Sequence, residues 1–129
     1  MNLTLPTDSD ERKAYPLLRG FFRYFPAAIA RVANLSKRGN DKHNPGEEMH
    51  HARGKSADHG DCILRHTMDL EDLKALLERV RESKIEGDPQ AIIDAMIEEA
   101  THRAWRALAE LQELCEREAG APLAPGARE

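Results

Sequence analysis

Hydrophobic residues recur at helical spacing in three stretches of the chain, separated by polar segments. The first stretch opens at Pro26, a residue favoured in the first turn of a helix. Its apolar positions follow the i, i+3, i+4, i+7 pattern of a helix face and are Ile29, Val32, Ala33 and Leu35 or Ser36. Gly39 and Asn40 are typical of a helix end, so we expect this helix to stop there.

Two longer stretches follow in the second half of the chain. Ser56 is a good N-cap and predicts a helix over residues 57–82. Asp88, followed by Pro89, predicts another over residues 90–118. Since no segment shows the alternation of a β-strand, we expect an all-α fold with three main helices. The apolar positions of these two helices include Ile63, Leu70, Leu73, Leu77, Val80, Ile92, Ile93, Met96, Ala100, Trp105, Leu108 and Leu111.

The chain has 129 residues, which is room for one compact domain. We expect a flexible leader over residues 1–12, a single helical domain over residues 13–118 and a frayed tail over residues 119–129. Five of the six aromatic residues fall between Tyr15 and Phe25, where proline and glycine predict turns or a short helix. Because the core of so small a domain is marginal, association would stabilise it, and we expect a homo-oligomer.

The net charge and its distribution along the chain limit the classes of ligand that this protein is expected to bind. The net charge of −4 argues against a general nucleic-acid binder, so we expect no nucleic-acid polymer as partner. The charge is uneven, at +2 over residues 1–35, +1 over residues 36–66 and −7 over residues 67–129. An anionic ligand is therefore expected in the first half of the chain.

Composition also bears on the compartment. No apolar run approaches the roughly 20 residues that cross a bilayer, and the polar, acidic start is unlike a signal peptide. Cys62 and Cys115 lie far apart and form no CxxC pair, which argues against a disulfide framework or a structural zinc site. We expect a cytoplasmic protein with no membrane partner.

A loop rich in glycine and histidine precedes the second helix, over residues 39–56. It has no hydrophobic period, and so long a loop in a compact domain is typically functional or disordered. Asn44, Pro45 and Gly46 predict a type II turn, which either reverses the chain or holds His43 against a ligand. Five of the six histidines cluster in and after this loop: His43, His50, His51, His59 and His66.

The strongest candidate site is SADHGDCILRH, residues 56–66. His59 and His66 are spaced i, i+7 and share the side of the helix that bears the apolar stripe. Asp58 and Asp61, at i, i+3, are close enough to share a cation such as Mg²⁺. Arg65 suits an i, i+4 ion pair with Asp61, and the helix N-terminus favours a phosphate.

The same residues allow plainer interpretations. His59 and His66 can be histidines of the core, and Asp58 can serve only as a partner of the helix dipole. A transition-metal site built from His43, His50 and the two helix histidines is a further alternative, although the spacing matches no closed zinc pattern. No Walker-type phosphate loop and no GxSxG nucleophile elbow is present in the sequence.

The motif GNxxHNPG, followed by KSxDHxDxxxRH and later by AWRALAELQ, resembles the small domain named for the N-terminus of dATP/dGTP diphosphohydrolases. That family is common in bacteriophages and prophages. The resemblance covers roughly residues 13–69 and 101–118, with an acidic insertion, residues 70–100, between them. The characteristic positions are Asn40, His43, Asn44, Lys55, Asp58, His59, Asp61, Arg65 and His66.

The resemblance implies association with all-α, MazG-like nucleotide pyrophosphohydrolases. Those enzymes cut a nucleoside triphosphate to the monophosphate and pyrophosphate, using Mg²⁺ held by helical carboxylates. Their paired ExxE and ExxD motifs are not cleanly present here. The DxxD pairs Asp58–Asp61 and Asp69–Asp72 stand in their place.

Three interpretations follow. In the first, a Mg²⁺-dependent hydrolase of purine nucleotides, Asp58 and Asp61 bind the metal, and His59 or His66 positions or deprotonates water. In the second, a non-catalytic module sequesters a purine nucleotide, such as a host signalling nucleotide, or serves a partner enzyme. In the third, the motif is only an oligomer interface. The ligand-binding residues expected in the first two are Lys42, His43, Asn44, Arg53, Lys55 and Arg65.

Overall fold

The computed structural model describes residues 3–54 and 57–128, and it is mostly helical. The expectation of a helical protein with three main helices is confirmed. The elements in chain order are α1 (Ser9–Lys13), a π-helical turn (Leu18–Phe22), α2 (Pro26–His43), β1 (His51–Ala52), α3 (His59–Arg81), α4 (Pro89–Glu118) and β2 (Ala127–Arg128).

The first long helix does not end at Gly39 and Asn40 as predicted, but continues to His43. Asn40 is buried, and its side chain binds backbone atoms of the loop that follows: Nδ2 donates to the carbonyl of Glu47, and Oδ1 accepts from the amide of His50. These tertiary hydrogen bonds outweigh the weak helix propensity of glycine and asparagine. The loop therefore begins at residue 44 rather than 39.

The other two helix predictions are close to the structure. Helix α3 begins at His59, two residues later than expected, and the predicted cap Ser56 lies outside the described residues. Asp58 precedes the first turn of α3 but makes no side-chain capping bond. Helix α4 begins at Pro89, where Asp88 acts as the expected cap: its Oδ1 accepts a hydrogen bond of 3.0 Å from the amide of Gln90.

The expectation of no β-strand is wrong at one place, because β1 and β2 form a two-residue parallel pair. The amide of His51 donates to the carbonyl of Gly126 at 2.8 Å, and the amide of Arg53 donates to that of Arg128 at 2.6 Å. The pair is too short to show an alternating pattern. It places residues 127–128, within the segment expected to fray, in regular structure.

The chain divides into two compact units, and the single helical domain expected over residues 13–118 stays a prediction. The first unit comprises residues 1–55 and 109–129, and the second comprises residues 56–108. The second unit contains the apolar core between α3 and α4. Its buried apolar members are Cys62, Leu70, Leu77 and Ile92. No helix of residues 3–54 and 57–128 is long and apolar enough to span a bilayer.

Candidate functional site

Polar side chains of α3 and α4 meet inside the second unit, next to its apolar core. His59, the first residue of α3, is buried, and its Nδ1 lies 3.2 Å from Nη1 of Arg106 on α4. Both of the expected helix histidines lie on the side of α3 that contacts α4, because His66 reaches Glu99 two turns further along. We call the following residues the α3–α4 polar cluster: Asp58, His59, Arg65, His66, Glu98, Glu99, His102 and Arg106.

One carboxylate is shared by two guanidinium groups at the start of α3. Asp58 Oδ2 lies 3.3 Å from Nη2 of Arg65, and Asp58 Oδ1 lies 3.5 Å from Nη1 of Arg106. The hydrogen bond from Arg65 is the main reason that the pKa of Asp58 lies below its usual value, and the charge of Arg106 adds to it. Two guanidinium groups therefore flank Asp58 at the N-terminus of the helix, and the charge of Asp61 also acts on Arg65.

Arg65 pairs with Asp58 rather than with Asp61, the partner expected from i, i+4 spacing. Asp58 lies outside the helix, before its first turn, so its side chain is not bound to helical geometry and reaches Arg65 from there. Asp61 is exposed on α3. The two aspartates predicted to share a cation therefore have different surroundings.

A second group of the cluster joins two histidines and two glutamates. Nδ1 of His66 lies 2.5 Å from Oε2 of Glu99, and both side chains are mostly buried. The imidazole rings of His66 and His102 stack at a centroid distance of 4.7 Å. Glu98 Oε1 lies 3.1 Å from Nε2 of His102. With Nδ1 held by Glu99, the Nε2 of His66 is the ring nitrogen left to contact a ligand.

Sequence reasoning missed Glu99 as a member of this site. Glu98, Glu99, His102, Arg103 and Arg106 all lie within the apolar stretch of α4. Arg103 also reaches α3, where its Nη1 lies 3.5 Å from Oγ1 of Thr67. The sequence signal that could have found them is the high number of charged residues on a helix whose other positions form a hydrophobic core.

The Mg²⁺ site expected at Asp58 and Asp61 stays a prediction. Among the residues that the structure describes, no group of three or more His, Cys, Asp or Glu is arranged to hold a metal ion. Asp58 is engaged by two arginines, and Mg²⁺ requires a near-octahedral set of oxygen ligands. Nor do His43, His50, His59 and His66, all of which the structure describes, form such a group of metal ligands.

Three expected ligand residues lie at the end of α2 in the first unit. Lys42 and His43 form its last turn, and Lys42 is exposed. Asn44 follows as the C-cap, and its Nδ2 donates to Oδ1 of Asn40 at 3.4 Å. Lys55, also expected to bind phosphate, lies outside the described residues.

Arg53, the remaining expected phosphate ligand, is held by a partner within the first unit. Its Nε and Nη2 donate to the two carboxylate oxygens of Glu116 at 2.8 and 3.0 Å, and its Nη1 lies 2.5 Å from Nδ1 of His51. All three guanidinium nitrogens thus have protein partners. This geometry gives Arg53 a structural role in closing the first unit.

No family model, curated protein or solved structure matches this chain. The resemblance to the dATP/dGTP diphosphohydrolase N-terminal domain therefore stays an expectation from the motifs. A functional assignment rests on those motifs together with the geometry of the α3–α4 polar cluster.

Proposed function

We propose that this protein binds a purine nucleotide through its phosphate groups at the α3–α4 polar cluster and does not hydrolyse it. This is the second of the three interpretations raised by the sequence. The observation that carries the proposal is the arrangement of Asp58 between Arg65 and Arg106. Two guanidinium groups thus meet at the end of α3 where the backbone amides of the first turn have no partner within the helix.

The chemistry of this arrangement suits phosphate. Guanidinium groups present planar forks of N–H donors that match phosphate oxygens, and a phosphate offers more acceptors than one carboxylate. The side chains of Arg65 and Asp58 are 61% and 48% exposed. Because water screens an exposed ion pair and leaves it weak, a phosphate can take Arg65 from Asp58 at small cost.

The histidine pair offers a second contact for the same ligand. The stacked rings of His66 and His102 present flat aromatic surface, and Glu99 fixes the orientation of His66. In a neutral imidazole one ring nitrogen donates a hydrogen bond and the other accepts one, and the tautomer decides which. The preference for a purine base comes from the family resemblance rather than from these rings.

Binding without turnover is favoured over hydrolysis because the acidic groups of the cluster already have protein partners. Asp58 is paired with two arginines, and Glu99 is paired with His66. Cleavage of a triphosphate requires that the developing charge be neutralised and that a water be oriented, usually by carboxylate-bound metal. The described carboxylates are not grouped for that task.

Calorimetric titration with nucleotides tests the proposal. The purified protein is titrated with dGTP, dATP, GTP, a cyclic purine dinucleotide and, as a control without phosphate, guanosine. We expect at least one phosphorylated purine to bind and guanosine to bind weakly or not at all. Arg106→Gln and Arg65→Gln should each lower the affinity about tenfold or more, because a hydrogen bond to a charged group contributes about 1.5–3 kcal/mol.

A matched variant distinguishes the loss of a site residue from the effect of a change in net charge. Arg79→Gln removes the same charge from an exposed position near the other end of α3, and it should leave affinity unchanged. Chromatography of the recovered ligand, with and without Mg²⁺, distinguishes capture from turnover. Pyrophosphate release would favour the hydrolase. Absence of binding by every nucleotide, or equal losses in the Arg79 and Arg106 variants, would refute a nucleotide site here.

A further inference from the structure

The segment Tyr15–Phe25, which we call the aromatic segment, exposes most of the large rings of this protein. Tyr15, Phe21, Phe22, Tyr24 and Phe25 are between 46% and 71% exposed, and Leu17 and Leu18 are 59% and 54% exposed. Phenylalanine and leucine are among the residues most often found inside proteins. Such a concentration of exposed rings in one segment marks an interaction surface.

The exposed area is close to that of a protein–protein interface. About half of each of the seven side chains is exposed, at roughly 100 Å² apiece, so the segment presents on the order of 700 Å² of side-chain surface. The largest apolar patch on a typical monomer covers about 300–600 Å². A standard interface buries about 800 Å² on each partner.

The backbone holds these side chains in a defined arrangement. Within the π-helical turn, the amide of Phe22 donates to the carbonyl of Leu17, and that of Arg23 donates to Leu18. Pro16 packs against Gly20, where an added Cβ would lie 3.1 Å from the proline ring. A surface that is already ordered loses little conformational entropy on binding.

A second exposed apolar surface lies on α4. Leu108, Leu111 and Leu114, at i, i+3, i+6, are 44%, 58% and 45% exposed, and we call them the α4 leucine face. Glu110 lies beside this face, Arg117 continues its i, i+3 spacing, and Glu118 follows one turn after Leu114. Burying leucine is favourable, so an exposed leucine stripe on a long helix is typical of a helix that docks on a partner.

The two surfaces carry opposite charge. The aromatic segment is flanked and interrupted by Lys13, Arg19 and Arg23, all exposed, and no acidic residue occurs between residues 12 and 40. The α4 leucine face lies instead in the acidic part of the chain, where Glu110 and Glu118 outnumber Arg117. Complementary charge steers association and sets which surfaces meet.

Since both surfaces are apolar and their flanking charges are opposite, we propose that the aromatic segment of one copy docks on the α4 leucine face of a second copy. In a two-fold pair each copy gives its segment and receives that of the other, so the two contacts form together. The two surfaces share no residue with the α3–α4 polar cluster, and the proposal is independent of the proposed function. The proposal thereby identifies an interface for the homo-oligomer that we expect from the marginal core of so small a domain.

Sedimentation equilibrium of the full chain tests the dimer. The chain has a mass of 14.5 kDa, and we expect the wild type to sediment as a particle of twice that mass at micromolar concentration. Phe22→Asp and Leu111→Asp should each raise the dissociation constant at least tenfold. Leu64→Asp, on an exposed leucine of α3 outside both surfaces, should have no effect.

Charge exchange shows whether the two named surfaces meet. Arg23→Glu and Glu118→Arg should each weaken the dimer, and the double variant should recover part of the affinity because the opposite charges face each other again. Circular dichroism should show the same helical content throughout, since Arg23 and Glu118 are both exposed. A monomeric wild type, a dimer that survives Phe22→Asp and Leu111→Asp, or a double variant with no recovery would overturn the proposal.

Discussion

Arg53 and Glu116, which lie 63 residues apart in the sequence, form a two-pronged ion pair that joins β1 to the last turn of α4. Their side chains are only 15% and 8% exposed. Oε2 of Glu116 also accepts hydrogen bonds from Nε2 of Gln112 and from the amide of Ala124, at 2.8 and 3.0 Å. One carboxylate thus holds the turn after β1, the end of α4 and the segment that leads to β2.

Glu116→Gln should destabilise the folded protein. Gln keeps the size of the side chain but leaves the guanidinium of Arg53 mostly buried without a counter-charge, a loss that costs about 3 kcal/mol in buried pairs. Urea unfolding followed by circular dichroism measures the change in the free energy of unfolding. Glu86→Gln, an exposed glutamate, serves as the control and should change that free energy by less than about 0.5 kcal/mol. Equal effects of the two variants would contradict a structural role for Glu116.

The same ion pair makes stability depend on acid pH. The hydrogen bonds from Arg53 lower the pKa of Glu116 from 4.5 to about 2. Between these two values the unfolded chain binds the proton more readily than the folded one, so folding is stabilised as pH rises. This contribution is complete above pH 4.5 and is lost as pH falls toward 2.

Unfolding curves of the wild type and of Glu116→Gln, measured across this range, test the linkage. The difference in unfolding free energy between the two proteins should shrink steadily as the solution is acidified. A difference that stays constant from neutral pH down to pH 2 would show that the carboxylate is not held by Arg53 in this way.

Asn40→Ala should loosen the loop that follows α2. The buried carboxamide binds the carbonyl of Glu47 and the amide of His50, and alanine leaves both backbone groups without their partner. We expect a loss of about 1–3 kcal/mol in the free energy of unfolding, and faster hydrogen exchange at the amide of His50. Asn34→Ala, at an exposed position of the same helix, should leave that amide unchanged.

Two glycines should respond to alanine in opposite directions. Gly39 lies inside α2 with open space around it, so Gly39→Ala should stabilise the protein by about 0.5–1 kcal/mol. At Gly87 an added Cβ would lie 2.9 Å from Cγ2 of Val80, so Gly87→Ala should destabilise it. Thermal unfolding of both variants measures whether each change stabilises or destabilises the protein.

A double variant tests the cause at Gly87. Val80→Ala removes the methyl groups that an alanine at position 87 would meet. If the clash is the cause, the combined variant should lose less stability than the sum of the two single changes. Strict additivity would point to the backbone conformation of Gly87 instead.

The helices could be predicted from the sequence because their apolar spacing and the Asp88–Pro89 start are local signals. The end of α2 could not be predicted locally. Gly39 and Asn40 have the composition of a helix end, but the contacts of Asn40 with residues 47 and 50 carry the helix further. The β1–β2 pair joins residues 51–52 to residues 127–128. A strand of two residues is too short to show a hydrophobic pattern, so its distant partner could not be predicted.

For the candidate site, the sequence by itself determined which side of α3 bears His59 and His66, since helical periodicity assigns side chains to faces. Only the tertiary structure decided their partners. Glu99 contacts His66 across 33 residues of sequence, and Arg106 contacts His59 across 47, because this part of α4 lies next to the first turns of α3. Hydrogen bonds and charges act over a few ångströms of space, whatever the separation along the chain. The choice of Asp58 over Asp61 as the partner of Arg65 was likewise made by the fold.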